Sequence, residues 1–440
     1  MSSDDELLAV GDKALARLQR GDAEVVIVDD TSELTRFAGN EIHQSVAEQS
    51  RYVRVRLIDD GRIGVGEVRG FGEDAVERAL QAAEESRRVT TSPDVPPLPA
   101  PDHRPGGPVA FAATTASATP EQRAGLVSIV TGAARAHDIN AYGALSTGTR
   151  TTAIATTAGV RRAATSTQAS LVSVARGDDG GGYASRHSAD IDALDVEGLA
   201  AEVVDTCERN QRATAIDPGE YEVVLSPYAV TDLLEHLGWV GFSALATQEH
   251  RSFMRMDEKL MSELITIRDD ATALDVFPFP FDAEGVSTQA LHLIDRGVCA
   301  GVVYDTPTAL RDGVTSTGHS LPQPNTWGPL PRHLVMDAGT TPWKDMVSSV
   351  RRGLYITRFW YVRDVHPLRT VITGMTREGT FLIENGRITR PVKDLRFTQS
   401  IVDALADVAE VSRERRLELG EGESGVLAPW LHINRFNFSS

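Results

Sequence analysis

Apolar positions recur along this chain in two periods, and the switches between them predict its elements. Residues 5–19 repeat leucine at helical spacing, with Leu7, Leu8, Leu15 and Leu18 on one side. AEVVIVDD (23–30) reads as a buried strand. RYVRVRLIDDGRIGVGEV (51–68) alternates in period two around Asp60-Gly61, a pair that tolerates the positive φ a tight hairpin needs. DAVERALQAAEESRR (74–88) turns Val76, Ala79, Leu80 and Ala83 to one face of a helix. Residues 1–89 therefore predict a helix–strand–hairpin–helix α/β unit.

The pattern then breaks. Prolines crowd TTSPDVPPLPAPDHRPGGP (90–108), favouring extended backbone without a ladder, so 90–118 reads as a linker or surface strap. Thr119-Pro120-Glu121-Gln122 opens a helix with an N-cap, a proline at its first position and a capping-box glutamine; it runs to Ala136. Residues 141–176 alternate on both sides of Ala158-Gly159 and predict a small-residue antiparallel sheet. GDDGGGYASRH (177–187) reads as a flexible loop. DVEGLAAEVVDTCERNQRA (195–213) reads as a helix that packs Cys207 beside Val203 and Val204. These segments predict a middle α+β domain over 119–215. Over 216–440, the strand YEVVLSP (221–227) leads into a helix with Ser226 as N-cap and Pro227 at its first position. A sheet region at 369–392 turns at Glu384-Asn385-Gly386-Arg387.

Regular strand–helix alternation is missing. So are a G-x-G-x-x-G after a strand, a P-loop and a G-x-S-x-G elbow. The fold class that remains is α+β, multi-domain, with mixed and antiparallel sheets. The 44 basic and 62 acidic side chains give a formal charge of −18, a field that repels phosphate backbones. Neither nucleic acid nor a membrane is expected as a partner, since no apolar run approaches the roughly 18 residues that span a bilayer. The acidic start MSSDDELLAV argues against a secretory signal, and two cysteines suit a reducing cytoplasm.

The C-terminal half carries FDAEGVSTQALHLIDRGVCAGVVYD, TSTGHS, GLYITRF and GTFLIENGRITRPVKDLRFTQS in that order. This ordered set resembles the TldD/PmbA (TldE) family of peptidases, and the RVRLIDDGRIGVGEV hairpin resembles the family's N-terminal part. The resemblance implies a TldD/PmbA-like C-terminal domain and a heterodimer of related subunits that cuts small or unfolded polypeptides in an enclosed cavity. One subunit bears a metal on a helix with the pattern H-E-x-x-x-H, supported by a late cysteine. The other keeps the fold and lacks the ligands.

The segment that matches the metal helix is Leu234-Glu235-His236-Leu237-Gly238-Trp239. Taken by itself, LLEHLGW is a leucine helix face with a glycine near its end. Under the resemblance, Leu234 and Trp239 occupy both histidine places. Leucine has no lone pair, and the indole N–H only donates. Ser424 stands near the place of the cysteine, within EGESGVLAPWLHI. With the ligands gone, Glu235 has no metal-bound water to deprotonate. The resemblance therefore implies a vestigial site at Leu234, Glu235, Trp239 and Ser424. It implies no metal or other cofactor in this chain, zinc in a TldD-like partner, and a peptide or small-protein substrate. His236 adjoins Glu235 but is offset from both ligand positions. His250 and Arg251 could hold a peptide carbonyl or carboxylate. Asp282, Glu284, Gly285 and His319 are further groove candidates. Two other readings stay open. One is a recruited biosynthetic peptidase or amidase subunit with altered ligands drawn from Glu235, His236 and His250. The other is a peptide-binding scaffold without hydrolysis.

Overall fold

The period-two segments of the first 190 residues pair into one sheet in the computed structural model, which describes residues 3–90, 95–420 and 425–440. The elements in chain order are α1 (Asp4–Leu15), β1 (Asp22–Ala38), β2 (Glu41–Asp59), β3 (Arg62–Arg69), α2 (Glu73–Val89), α3 (Ala113–Ala116), α4 (Pro120–Ala136), β4 (Asn140–Thr156), β5 (Arg161–Arg176), β6 (Gly181–Ser188) and α5 (Val196–Arg209). The strand order is β3-β2-β1-β4-β5-β6, antiparallel throughout. Asp60 and Gly61 make the predicted hairpin turn at φ 55° and 68°. Leu7, Val76, Ala79 and Ala83 of α1 and α2 pack on Val25, Ile27, Val53 and Val55 of the sheet. Thr119 caps α4, its Oγ1 accepting the Gln122 N–H at 3.2 Å.

The α/β unit and the middle unit share this sheet, because β1 pairs with β4 from Glu24↔Thr156 to Phe37↔Gly143. One expectation is corrected. The stretch expected as a loop at 177–187 contains β6, which pairs with β5. Its glycines serve packing: a Cβ on Gly182 would lie 2.2 Å from the Val203 carbonyl oxygen, so only glycine lets α5 cross there.

The described part of the proline-rich segment, from residue 95 on, is a strap, and residues 91–94 lie outside the described residues. Ala110 donates its N–H to the Pro278 carbonyl at 3.2 Å and accepts the Thr167 N–H at 2.9 Å, tying the C-terminal half to β5. Asp102 accepts the Ser287 hydroxyl at 2.9 Å and the Ser287 N–H at 3.1 Å.

The second half continues with β7 (Gly219–Leu225), α6 (Pro227–Val240), α7 (Ala244–Gln248), β8 (Ile267–Asp269), β9 (Leu291–Asp295), β10 (Val298–Cys299), α8 (Thr306–Asp312), β11 (His333–Met336), α9 (Trp343–Ser349), β12 (Arg352–His366), β13 (Val371–Glu384), β14 (Arg387–Pro391), β15 (Arg396–Ser400), α10 (Ile401–Ala406), β16 (Val408–Leu419) and β17 (Gly425–Phe438). These strands form one 11-stranded mixed sheet. β7 runs parallel to β12 and antiparallel to β17, so β17, β15, β13, β12 and β7 close on themselves. Phe359, Phe397, Phe436 and Phe438 share the core of this half, with ring centroids as near as 4.3 Å, and Leu233, Leu234 and Leu237 of α6 belong to the same core. Ser226 holds the N-cap position of α6, but its hydroxyl donates to the Thr357 carbonyl on β12 instead of capping. Among the described residues, no helix is long and apolar enough to cross a membrane.

Candidate functional site

Helix α6 has two faces, and they answer what LLEHLGW is for. Asp232, Glu235, His236, Trp239 and Val240 follow i, i+3, i+4, i+7, i+8 spacing and line a cleft of about 930 Å³. Leu233, Leu234 and Leu237 lie on the other face, fully buried in the core. Leu234 and Trp239, five residues apart, are separated by about 140° around the helix. Leu234 is 0% exposed and Trp239 is 40% exposed. The expected offset of His236 does not keep it away from the site: it lines the same cleft, its Nδ1 2.8 Å from the Asp232 carbonyl oxygen. Glu235 packs against Gly420, where a Cβ would come within 1.6 Å of its Oε1, so glycine is what admits the carboxylate.

The facing wall is β12. All seven residues from Arg358 to Asp364 line the cleft, followed by His366, Pro367 and Leu368. A regular strand would send alternate side chains away. Here the pairing with β13 shifts register between Ile356/Arg358, Trp360/Arg363 and Asp364/His366, and Tyr361 takes φ 54°. Those bulges bring Trp360, Tyr361, Arg363 and Asp364 to the exposed side while Phe359 and Val362 stay in the core. The Arg358 guanidinium lies 4.1 Å from the Tyr183 ring centroid and 5.1 Å from that of Trp360. It also pairs with Glu378 at 2.6 Å, a buried carboxylate that Arg176 and Arg377 reach at 2.6 and 3.0 Å. Asp394 stands nearby; burial, then the Glu378 charge, pushes its carboxyl up to about 6. Trp327 closes one side, edge-on to Trp239 at 5.7 Å. Arg251 also lines the cleft, paired to Glu249 at 2.6 Å.

The cleft thus offers exposed indole and phenol faces beside guanidinium and carboxylate groups. Aromatic faces bury apolar side chains, while charged groups bond main-chain carbonyl and N–H groups, a combination suited to an extended polypeptide. On α6, Asp232, Glu235 and His236 carry lone pairs toward the cleft, while the two places that the resemblance gives to histidine hold Leu234, which is all carbon, and Trp239, which only donates. Ser424 lies outside the described residues.

The other groove candidates are elsewhere. His250 sits in an exposed turn at φ 55° and does not line the cleft. Asp282, Glu284 and Gly285 are not on it either: they form a buried turn where the two halves meet. Asp282 accepts N–H groups from Glu284, Val286 and Ser320 at 2.8–2.9 Å. Burial still pushes its carboxyl up to about 6. Glu284 accepts the Thr306 N–H at 3.0 Å. Burial, then the Asp282 charge, raises it to about 8. His319 is also buried, with Nδ1 2.9 Å from Thr317 Oγ1 and Nε2 3.0 Å from Asp269 Oδ1. Burial opposes the ionisation of Asp269, yet His319 and His333 outweigh it and hold that carboxyl well below the usual range. The reading of the residues did not single out Arg358, Trp360, Tyr361, Arg363 or Trp327. The run RFWYVR (358–363) is a visible signal, three aromatics between two arginines, but only the tertiary structure reveals that it lines the cleft.

Comparison with known proteins places this geometry. Family models described as PmbA/TldA metallopeptidase domain 1, central domain and C-terminal domain match residues 23–87, 114–210 and 218–440. TldE from Thermococcus kodakarensis has a similar fold, with TM-score 0.87, 20% identity and 99% of each chain covered. A metalloprotease TldD homolog of Haemophilus influenzae is 31% identical over 175 residues, 39% of this chain and 36% of its own length. A metalloprotease of Methanothermobacter thermautotrophicus is 26% identical over 243 residues, 53% of this chain and 52% of its own. The matched stretch thus spans between about a third and a half of these curated relatives. With all three domain models matched in order, the chain belongs to the PmbA/TldD metallopeptidase family.

Proposed function

We propose that this chain is the TldE/PmbA-type, non-catalytic subunit of a heterodimeric, cytoplasmic metallopeptidase. In this reading its cleft helps hold small or unfolded polypeptides for proteolysis. A TldD-like partner supplies the zinc and the water it activates. The observation that carries the reading is the pair of places that the resemblance gives to histidine: Leu234 is buried in the core and Trp239, on the cleft, only donates, so neither offers a lone pair. The cleft's own residues bind and orient. Trp239, Trp327, Trp360 and Tyr361 cover apolar side chains, and Arg363 presents its guanidinium to main-chain carbonyls. Arg358 is held by Glu378 and positions the Trp360 ring.

The test combines elemental analysis with reconstitution. The purified chain is expected to hold no stoichiometric transition metal and to leave an unfolded casein fragment intact. Co-expression with a relative bearing the H-E-x-x-x-H helix should give a stable complex that cleaves it. One tightly held metal per chain together with cleavage by the chain alone would overturn the proposal. So would a stable complex that cleaves no polypeptide.

A further inference from the structure

Trp327 is 62% exposed, yet the loop that carries it, LPQPNTWGP (321–329), stands on a fixed base. Asn325 Oδ1 accepts the Trp327 N–H at 3.0 Å and the Gly328 N–H at 2.7 Å, a side-chain turn that sets the backbone beneath the indole. Gln323 Oε1 in turn accepts the Asn325 N–H at 3.3 Å. Gln323 is 4% exposed, and its Nε2 donates to Asp305 Oδ2 and Ser320 Oγ, both at 3.2 Å. On the far side Gly328 lies against Leu245, where a Cβ would come within 2.5 Å of the Leu245 Cβ.

The main chain of Gln323 is held from the other half of the molecule. Arg54 of β2 donates an Nη2 N–H to the Gln323 carbonyl. Arg54 lies opposite Glu67 in the β2–β3 register, with its Nε 3.9 Å from Glu67 Oε2, too long for a hydrogen bond. Its side chain is largely buried, and burial pulls its pKa below the ordinary 12.5. A buried guanidinium is costly unless its N–H groups are bonded, and among the described residues the hydrogen bond of Arg54 goes to this loop. We propose that Arg54 is a positioning residue for the cleft. From the six-stranded sheet it clamps the base of the loop so that Trp327 stands edge-on to Trp239, and the N-terminal half thereby tunes how tightly the cleft retains an apolar side chain. This rests on the reading of the cleft as a polypeptide groove.

Two features separate this role from simple adhesion between the halves. Arg56, two residues on and on the same face of β2, already supplies adhesion: it pairs with Glu24 at 2.8 Å and comes within 3.9 Å of Glu284, all three fully buried. Arg54 instead bonds main chain four residues before Trp327, and the bonds run in series. Its guanidinium meets the Gln323 carbonyl, Gln323 Oε1 takes the Asn325 N–H, and Asn325 Oδ1 takes the Trp327 N–H. A mostly exposed indole gains little direction from packing, so its orientation comes from the backbone under it. Without Arg54 that backbone keeps the side-chain bonds of Gln323 and the Gly328 contact, but loses the bond that fixes its main chain.

Fluorine NMR of the full chain labelled with 5-fluorotryptophan reads Trp327 directly. The five tryptophans give five resonances, and Trp327→Phe identifies the one that matters. Arg54→Met keeps the apolar stem and removes charge and donors. It should shift and sharpen the Trp327 line, as a more mobile ring requires, and displace that of Trp239. Trp343 and Trp430, stacked at 5.5 Å in a separate core, should keep their lines, which shows that the chain is folded. Arg54→Lys, which keeps a cationic donor, should fall nearer the wild type than Arg54→Met. In the assembled complex Arg54→Met should weaken retention of a labelled unfolded casein fragment about fivefold, and add almost nothing where Trp327 is already alanine, because both changes act through one ring. An unmoved Trp327 line overturns the proposal, as does one that moves only together with those of Trp343 and Trp430. So does a lysine variant further from wild type than the methionine one, or a loss that adds in full to Trp327→Ala. The resonance readout uses no peptide, so it decides the positioning role even where a wild-type complex that retains nothing sinks the groove reading.

Discussion

Arg56→Met is the sharpest perturbation of the contact between the two halves. The Arg56 guanidinium is fully buried, with Nη2 2.8 Å from Glu24 Oε2, Nε 3.2 Å from Glu24 Oε1, and Nη2 3.9 Å from Glu284 Oε1. Burial and the Asp282 charge favour the neutral form of Glu284, so the guanidinium chiefly balances Glu24. Removing it strands an ionised Glu24 that is 1% exposed. Breaking one side of a buried pair costs about 3–5 kcal/mol, whereas replacing both partners with apolar groups is close to neutral. Urea unfolding at pH 7 should therefore show Arg56→Met losing about 3–5 kcal/mol, and Glu24→Leu/Arg56→Met recovering most of it. The sign of the pH dependence follows from Glu284. Its folded pKa lies above the ordinary 4.5, so its contribution is full below about pH 4.5. It is lost as pH rises toward 8, over a range in which the raised carboxyls of Asp282 and Asp394 also ionise. Glu284→Gln should reduce that slope between pH 5 and 8, leaving the part that Asp282 and Asp394 contribute. If Arg56→Met is no weaker than the double variant, or Glu284→Gln leaves the slope undiminished, the assignment of this cluster is wrong.

Further outcomes are expected. Asp102 anchors the strap. Burial opposes its ionisation, but hydrogen bonds from Ser287 and Arg104 win and bring its carboxyl down to about 2. That stabilisation is present above pH 3.8 and lost as pH falls toward 2. Asp102→Asn should speed proteolytic nicking near residue 100 at pH 7, read by limited digestion, and an unchanged rate would refute the anchoring. Gly420→Ala should displace the Glu235 carboxylate without unfolding the chain, because the side chain can rotate away. A crystal structure with Glu235 unmoved would count against that packing. Trp239→Ala should weaken retention of an unfolded peptide by the assembled complex roughly tenfold, worth about 1.4 kcal/mol. Equal retention would place the groove elsewhere. Cys207 and Cys299 are buried and their thiols raised by burial. A soluble disulfide reagent should label them only as the chain opens in urea.

Much of the local structure was legible because its determinants are local. The Asp60-Gly61 and Asn385-Gly386 turns need positive φ. The Thr119 cap needs a side-chain oxygen one turn before its helix. The amphipathic helices need apolar residues at 3.6-residue spacing. The six-stranded sheet was only half legible, because the β1–β4 pairing joins residues more than a hundred positions apart and leaves no short-range mark. The glycine run at 180–182 misled for a related reason: glycine signals freedom in isolation and close packing once α5 lies against it.

The site divides along the same line. Which residues of α6 own a lone pair was legible by itself, because that does not depend on the fold. Their spacing also separates the leucine face from the Glu235–Trp239 face. What those residues face is another matter. The bulged β12 wall, the burial of Asp282, Glu284 and His319 away from the cleft, and the bond from Arg54 to Gln323 arise from segments meeting across long sequence distances. Burial and register are properties of the neighbours that packing supplies, so only the tertiary structure could decide them.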